Sequence, residues 1–124
     1  MQNKYLFYCF FMRTFLRAKI HKARVTEANL EYVGSITIDK TLMDLVDIAE
    51  YEKVLVVSNT SGVRLETYVI AGTADSWIIC MNWAASHLIH IDEEIIIMAF
   101  EYTDIPSIPK SILLDKHNHL INYL

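Results

Sequence analysis

Apolar stretches in this chain are short, rich in β-branched and aromatic residues, and repeatedly stopped by turn signals, a pattern that argues for strands rather than long helices. Strands are predicted near Phe15–Val25, Ser35–Ile38, Val54–Val57, Arg64–Ile70, Ile78–Met81 and Glu94–Glu101. Asn59-Thr60-Ser61-Gly62 and Gly72-Thr73-Ala74-Asp75 read as hairpin turns. Two short helices fit between the strands. Asp39 is placed to cap one whose apolar face is Leu42, Leu45, Val46 and Ala49, and Ala84–Ile89 gives a second turn or two. Many short strands with few helices point to a mostly-β fold, a small barrel.

The 124 residues suffice for one domain and are too few for two. A hydrophobic fraction of 53% is high for so small a soluble chain, which favours an oligomer that buries faces between subunits. A net charge of -4, with no basic stripe interleaved with aromatics, argues against nucleic acid as a partner. Cys9 and Cys80 are the only cysteines and form no C-x-x-C pattern. Each reads as a small hydrophobe in a reducing compartment. The apolar run Tyr5–Met12 is far short of the ~20 residues that cross a bilayer. Arg13 follows it instead of a small-residue cleavage site, so no membrane segment or signal peptide is expected and the reading is cytoplasmic.

Gly34-Ser35, within Tyr32-Val33-Gly34-Ser35-Ile36-Thr37-Ile38-Asp39, is the dipeptide with latent chemistry. An isolated Gly-Ser is usually just a bend. Where a fold presses the Ser35 hydroxyl onto the Gly34 carbonyl, however, the amide can rearrange to an ester. Elimination then leaves dehydroalanine, and hydrolysis leaves a pyruvoyl group at residue 35. Such a ketone forms Schiff bases with amines and withdraws electrons from the bond beside the nitrogen, the work that pyridoxal phosphate does elsewhere.

Four ordered blocks give this dipeptide its context: Met12 to Asp39, Ser58-Asn59-Thr60-Ser61-Gly62-Val63-Arg64-Leu65-Glu66-Thr67-Tyr68, Asn82-Trp83-Ala84-Ala85-Ser86-His87, and Glu94-Ile95-Ile96-Ile97-Met98. From Met12 to about Lys110 the chain resembles the pyruvoyl-dependent aspartate 1-decarboxylases. That resemblance implies a six-stranded double-psi β-barrel with short helices, assembled as a homotetramer. It implies decarboxylation of L-aspartate to β-alanine and CO2 for pantothenate and coenzyme A biosynthesis. The cofactor would be a pyruvoyl group generated from Ser35, with neither metal nor pyridoxal phosphate. On this reading residues 12–124 are one barrel domain cut between Gly34 and Ser35. Residues 1–11 are then an apolar N-terminal extension or the product of a misplaced start codon. Spontaneous cleavage and cleavage helped by a maturation-assisting protein are both compatible with the sequence.

The resemblance also assigns roles. Lys19 and Arg64 match cations that hold substrate, and Arg64 is preferred because its planar fork suits a carboxylate. Tyr68 falls at the proton donor, and a phenol with pKa near 10 is protonated at neutral pH. Thr67 matches a residue that contacts substrate and helps align the cleavage bond, and Tyr32 one near that bond. Asn82 would orient the reactive carbonyl, while backbone N–H groups of the next residues, Trp83, Ala84 and Ala85, would hold a substrate carboxylate. Taken alone, these residues read as ordinary strand positions: Lys19 and Arg64 as solvated charges, Tyr68 and Thr67 as packing.

Trp83 is the sharpest departure, standing where the family carries glycine. If that backbone is left-handed, Trp costs roughly 1–2 kcal/mol there and the loop is expected to shift, with the indole turned outward to a subunit interface. Asp47 and Asp92 replace two other family glycines, and Asp tolerates the left-handed region better than most residues. Trp83 also motivates two alternatives: an inactive barrel with a structural or regulatory role, and a pyruvoyl decarboxylase for another amino acid. The histidines, His21, His87, His90, His117 and His119, form no H-E-x-x-H pattern, and no metal site is expected.

Overall fold

A computed structural model describes residues 11–124. Within them the chain forms β1 (Arg13–Arg24), β2 (Glu27–Asn29), β3 (Ser35–Asp39), α1 (Lys40–Val46), β4 (Lys53–Ser58) and β5 (Arg64–Gly72). It continues through β6 (Ile79–Asn82), α2 (Ala84–Leu88), β7 (Glu94–Thr103), β8 (Lys110–Leu114) and β9 (Leu120–Tyr123). The mostly-β class with short helices is therefore what the chain adopts. All six expected strands are present. The short β2, β8 and β9 join them to make a nine-stranded sheet in the order β2-β6-β3-β5-β4-β7-β1-β8-β9. Hydrogen bonding does not close this sheet, because β2 and β9 stand at its two ends. Cys9 and most of the 1–11 extension lie outside the described residues.

Alternation builds the core. Ile95, Ile97 and Ala99 of β7, Val54 and Val56 of β4, and Ala18 and Ile20 of β1 point inward and are fully or almost fully buried. In β1 the inward set then changes phase, from Ala18 and Ile20 to Ala23 and Val25. The register against β7 slips between Ile20 and Ala23, and Lys22 at the slip has φ 60°. This bulge returns Ala23 to the core side, which strict alternation would have denied it.

Asp39 caps α1 as expected, accepting from Thr41 N at 2.8 Å. Its two carboxylate oxygens also accept from the backbone N–H groups of Asp75, at 3.0 Å, and Trp77, at 2.8 Å. One buried carboxylate thus fixes the helix start and the loop before β6. The helix stops at Val46, because Asp47 turns left-handed at φ 59°, and so Ala49 falls beyond it and is exposed. Leu42, Met43 and Val46 are the buried face.

Asn59–Gly62 is a hairpin turn, with Ser58 N donating to Val63 O at 2.8 Å and Gly62 at φ 80°. The segment after Gly72 is not. β5 and β6 do not pair with each other, because β3 lies between them, parallel to β5 and antiparallel to β6. Turn composition marks a change of direction and leaves the pairing partner open, which is why a hairpin was expected there.

Candidate active site

β3 begins at Ser35, opposite Asn82 at the end of β6, and two residues on Thr37 lies opposite Cys80. Alternation therefore sets Ser35, Thr37, Cys80 and Asn82 on one face. Ser35 is fully buried and Asn82 nearly so. The Asn82 amide nitrogen donates to Ser35 Oγ at 2.9 Å and to Thr37 Oγ1 at 3.0 Å. Ser35 Oγ in turn donates to the Val33 carbonyl at 2.9 Å. The hydroxyl next to the Gly34 carbonyl is thus held in a defined place by a neutral donor.

Tyr68 belongs to the same face. β3 and β5 run parallel with Ile36 opposite Val69, so Ser35 and Tyr68 each stand one residue before the first pair. Ile36 and Val69 point into the core, fully buried, while Ser35 and Tyr68 point the other way. Gly34, just before β3, lines a cavity of about 220 Å³ with Leu65, Glu66, Thr67, Ala84, Ala85 and Leu88. The Gly34–Ser35 bond thus runs between an arrangement of bonded polar groups and a small open cavity.

Trp83 precedes α2 at φ 51°, ψ -124°, a backbone region that favours glycine. Trp83 adopts this positive φ rather than avoiding it, with its N–H donating to Asn29 O of β2 at 2.7 Å. Its side chain is 55% exposed, in keeping with the expected outward placement. Asp47 and Asp92 also keep positive φ, at 59° and 70°. Ala84 and Ala85 open α2, where first-turn N–H groups have no partner within a helix.

The cations are not drawn into this cluster. Arg64 is exposed at the far end of β5, four residues from Tyr68, or roughly 13 Å along a strand. Glu66, between them on the same face, is paired with Lys53 at 2.9 Å. Lys19 sits mid-strand in β1, opposite Met98 of β7 and Ser111 of β8. Three strands, β5, β4 and β7, lie between β1 and β3 in the sheet. No carboxylate pairs with Arg64 or Lys19 among the described residues. Tyr32 is exposed, two residues before Gly34.

Thr37 and Cys80 join Ser35 and Asn82, although neither stands out in the sequence as chemistry. The signal available was positional: each lies two residues from a site residue on a strand, hence on its face. Cys80 is buried, as a small hydrophobe would be, but its thiol also donates to Asn82 Oδ1 at 3.2 Å.

The family profile described as aspartate decarboxylase matches residues 11–121. Aspartate 1-decarboxylase of Bacillus cytotoxicus is 51% identical over 90% of this chain and 91% of its own length. The enzyme of Exiguobacterium sibiricum is 51% identical over 88% and 89%, and that of Bacillus cereus 49% over 90% and 91%. With the match running through every strand that carries the Ser35 cluster, the chain belongs to the aspartate decarboxylase family.

Proposed function

We propose that this chain is made as a precursor that cuts itself between Gly34 and Ser35 and then, as an aspartate 1-decarboxylase, converts L-aspartate to β-alanine and CO2 for pantothenate biosynthesis. The observation that carries the self-cleavage is the buried Ser35 hydroxyl, fixed by Asn82 beside the Gly34 carbonyl. Neither space nor backbone sign demands a glycine at 34. A Cβ there would meet Trp83 Cβ at an ordinary 3.7 Å, and Gly62 is the glycine with positive φ. What glycine offers at 34 is an unshielded carbonyl carbon. Attack by Ser35 Oγ breaks the Gly34–Ser35 amide and forms an ester; loss of the Ser35 α-proton expels the Gly34 carboxylate and leaves dehydroalanine, whose imine tautomer water hydrolyses to the ketone with release of ammonia.

The residues around position 35 fit a pyruvoyl group: a buried amide donor on one side, and on the other a cavity smaller than the ~300 Å³ of drug-sized sites. When present, that group supplies an electrophilic carbonyl that binds an amine and withdraws electrons from the adjacent bond. The protein's own residues do the rest. Asn82 keeps its N–H directed at residue 35. Tyr68, on that face, holds the proton that must reach the substrate Cα after CO2 leaves. Thr67, with the amides of Ala84 and Ala85, surrounds the small ligand at the cavity, whereas the Trp83 N–H expected to join them is already given to Asn29 O.

Arg64 and Lys19 supply the cations for two carboxylates, and their distance from Ser35 within one chain supports an oligomer, read as a homotetramer. In it one protomer's cations would reach its neighbour's residue 35. The outward Trp83 indole leaves the cavity open and so favours aspartate chemistry over an inactive or altered-substrate barrel. Cleavage either proceeds unaided or takes a maturation-assisting protein. Among the described residues no helix is long and apolar enough to cross a membrane. The free thiol of Cys80 supports a reducing compartment, read as the cytoplasm.

Intact mass spectrometry tests the proposal. Two fragments are expected, residues 1–34 and 35–124, the larger with a ketone in place of its amine. In borohydride and L-aspartate that fragment gains a reduced adduct. A preparation that stays full length after prolonged warming, with or without lysate from its source, would overturn it.

A further inference from the structure

We propose that Cys80 is a positioning residue for Asn82: by donating its thiol proton to the amide oxygen, it fixes the amide with its nitrogen toward Ser35. The inference builds on the reading above and assigns a role to a residue which that reading leaves unused.

An asparagine amide presents a donor end and an acceptor end of nearly equal shape, and its neighbours decide which way it points. At the far end of the Asn82 amide are the hydroxyls of Ser35 and Thr37. Hydroxyls donate or accept, so these two alone do not choose the orientation. The Ser35 proton is committed to the Val33 carbonyl, which leaves its oxygen as an acceptor. The thiol at the near end completes the choice. Its sulfur is 3.2 Å from Asn82 Oδ1, and although a thiol is only a weak donor, its proton has a use at the amide oxygen and none at the amide nitrogen, so it favours oxygen at that end. The other oxygen near it, the Met81 carbonyl, is 3.9 Å away.

The strands enforce this contact. Cys80 and Asn82 are alternate residues of β6, while Thr37 and Ser35 face them across the pair, so the four side chains share one face with Asn82 bonded to the other three. Cys80 is 5% exposed and Asn82 2%, which leaves little room for water to replace the thiol. Burial, with the Glu27 carboxylate adding to it, pushes the thiol pKa up, so the proton stays on sulfur through the neutral range.

Cys80→Val keeps the shape and burial of the site but has no proton to give, whereas Cys80→Ser keeps a donor. In the full-length protein, the Val variant should cleave after Gly34 more slowly by on the order of tenfold, the loss expected when one such hydrogen bond goes. The Ser variant should cleave within about twofold of wild type. A second readout does not require cleavage: side-chain amide protons of Asn82, followed by NMR, should exchange slowly in wild type and Cys80→Ser and faster in Cys80→Val. Thermal melts identify a variant that has simply lost its fold; Cys80→Ala then replaces Cys80→Val as a second variant with no proton to give, and Cys80→Thr replaces Cys80→Ser as a second donor. Wild-type exchange and cleavage in Cys80→Val, or a Ser variant as impaired as Val, would overturn the role. Failure of every protein to cleave, with the exchange pattern intact, would instead refute the self-processing reading and leave the positioning contact standing.

Discussion

On the β3–β6 face, Ser35 and Asn82 are buried and bonded to each other, with Asn82 also bonded to Thr37 and Cys80, whereas at the outer end of β5 Arg64 is exposed with no carboxylate paired to it among the described residues. The first region is complete within one chain. The second is a charge held at a surface, waiting for an anion. On the proposed function, the difference matches what each region would have to do. A hydroxyl that attacks its own backbone must be held before any ligand arrives, and buried, fully bonded groups achieve that. A cation that grips a substrate carboxylate must stay unpaired until the substrate comes, and a water-facing site keeps an unpaired charge at little cost.

The most severe way to break the comparison is at its first region. Ser35→Ala should remain a single chain by intact mass, since no hydroxyl is left to attack, and should make no β-alanine. Next comes the proton donor. Tyr68→Phe should still cleave and still form the borohydride adduct, while β-alanine release falls by ~10²–10⁴, the usual worth of a positioned acid. Wild-type turnover in Tyr68→Phe would remove Tyr68 from that role.

The second region is sharpened by mixing chains. Arg64→Lys should cleave normally and raise the apparent KM for aspartate, by about tenfold for loss of a bidentate contact. Refolding it together with Ser35→Ala should restore activity if cations of one protomer serve residue 35 of another. If the mixture is no more active than its parts, Arg64 serves its own chain. Smaller still is Trp83→Gly. It should relieve roughly 1–2 kcal/mol of backbone strain against roughly 0.5–1 kcal/mol of added chain entropy. The subunit should then melt slightly higher, while association weakens by up to about 3 kcal/mol if the indole is buried between subunits. A large gain in aspartate turnover with assembly intact would show instead that Trp83 covers the cavity.

The smallest effect concerns His21, which alternates with Lys19 on β1. Burial, then the charges of Lys19 and Lys22, hold its pKa below the ordinary 6.5. The unfolded chain therefore takes up this proton first as pH falls. Stability should be lost as pH drops through 6.5 and level off below the folded-state pKa. His21→Gln should flatten that limb of a melting-temperature profile. An unchanged slope would show that His21 contributes nothing to it.

Much of this was legible beforehand, for identifiable reasons. Strands such as Glu94–Thr103 carry their own alternation, and Asp39 announces a helix start by its position before an apolar face. β2 and β9 were missed because both are short and exposed throughout, and β8 because its buried alternation is only two residues long, Ile112 and Leu114. Ser35, Gly34, Asn82 and Tyr68 were found through the ordered blocks around them. Cys80 was read by composition alone, as a hydrophobe, because a thiol's partner is set by the strand opposite.

The sequence by itself determined the class of fold and the residue types around the Gly34–Ser35 bond proposed to be cut, because each of these is written in local pattern. Only the tertiary structure decided that β3 lies between β5 and β6, which brings residues 35, 37, 68, 80 and 82 to one face. Only it decided that Trp83 keeps a positive φ and that Arg64 and Lys19 stand apart from Ser35. Those outcomes depend on which strands pair and in what register. Pairing is set by burial summed over the whole sheet, and no short stretch of residues contains that sum.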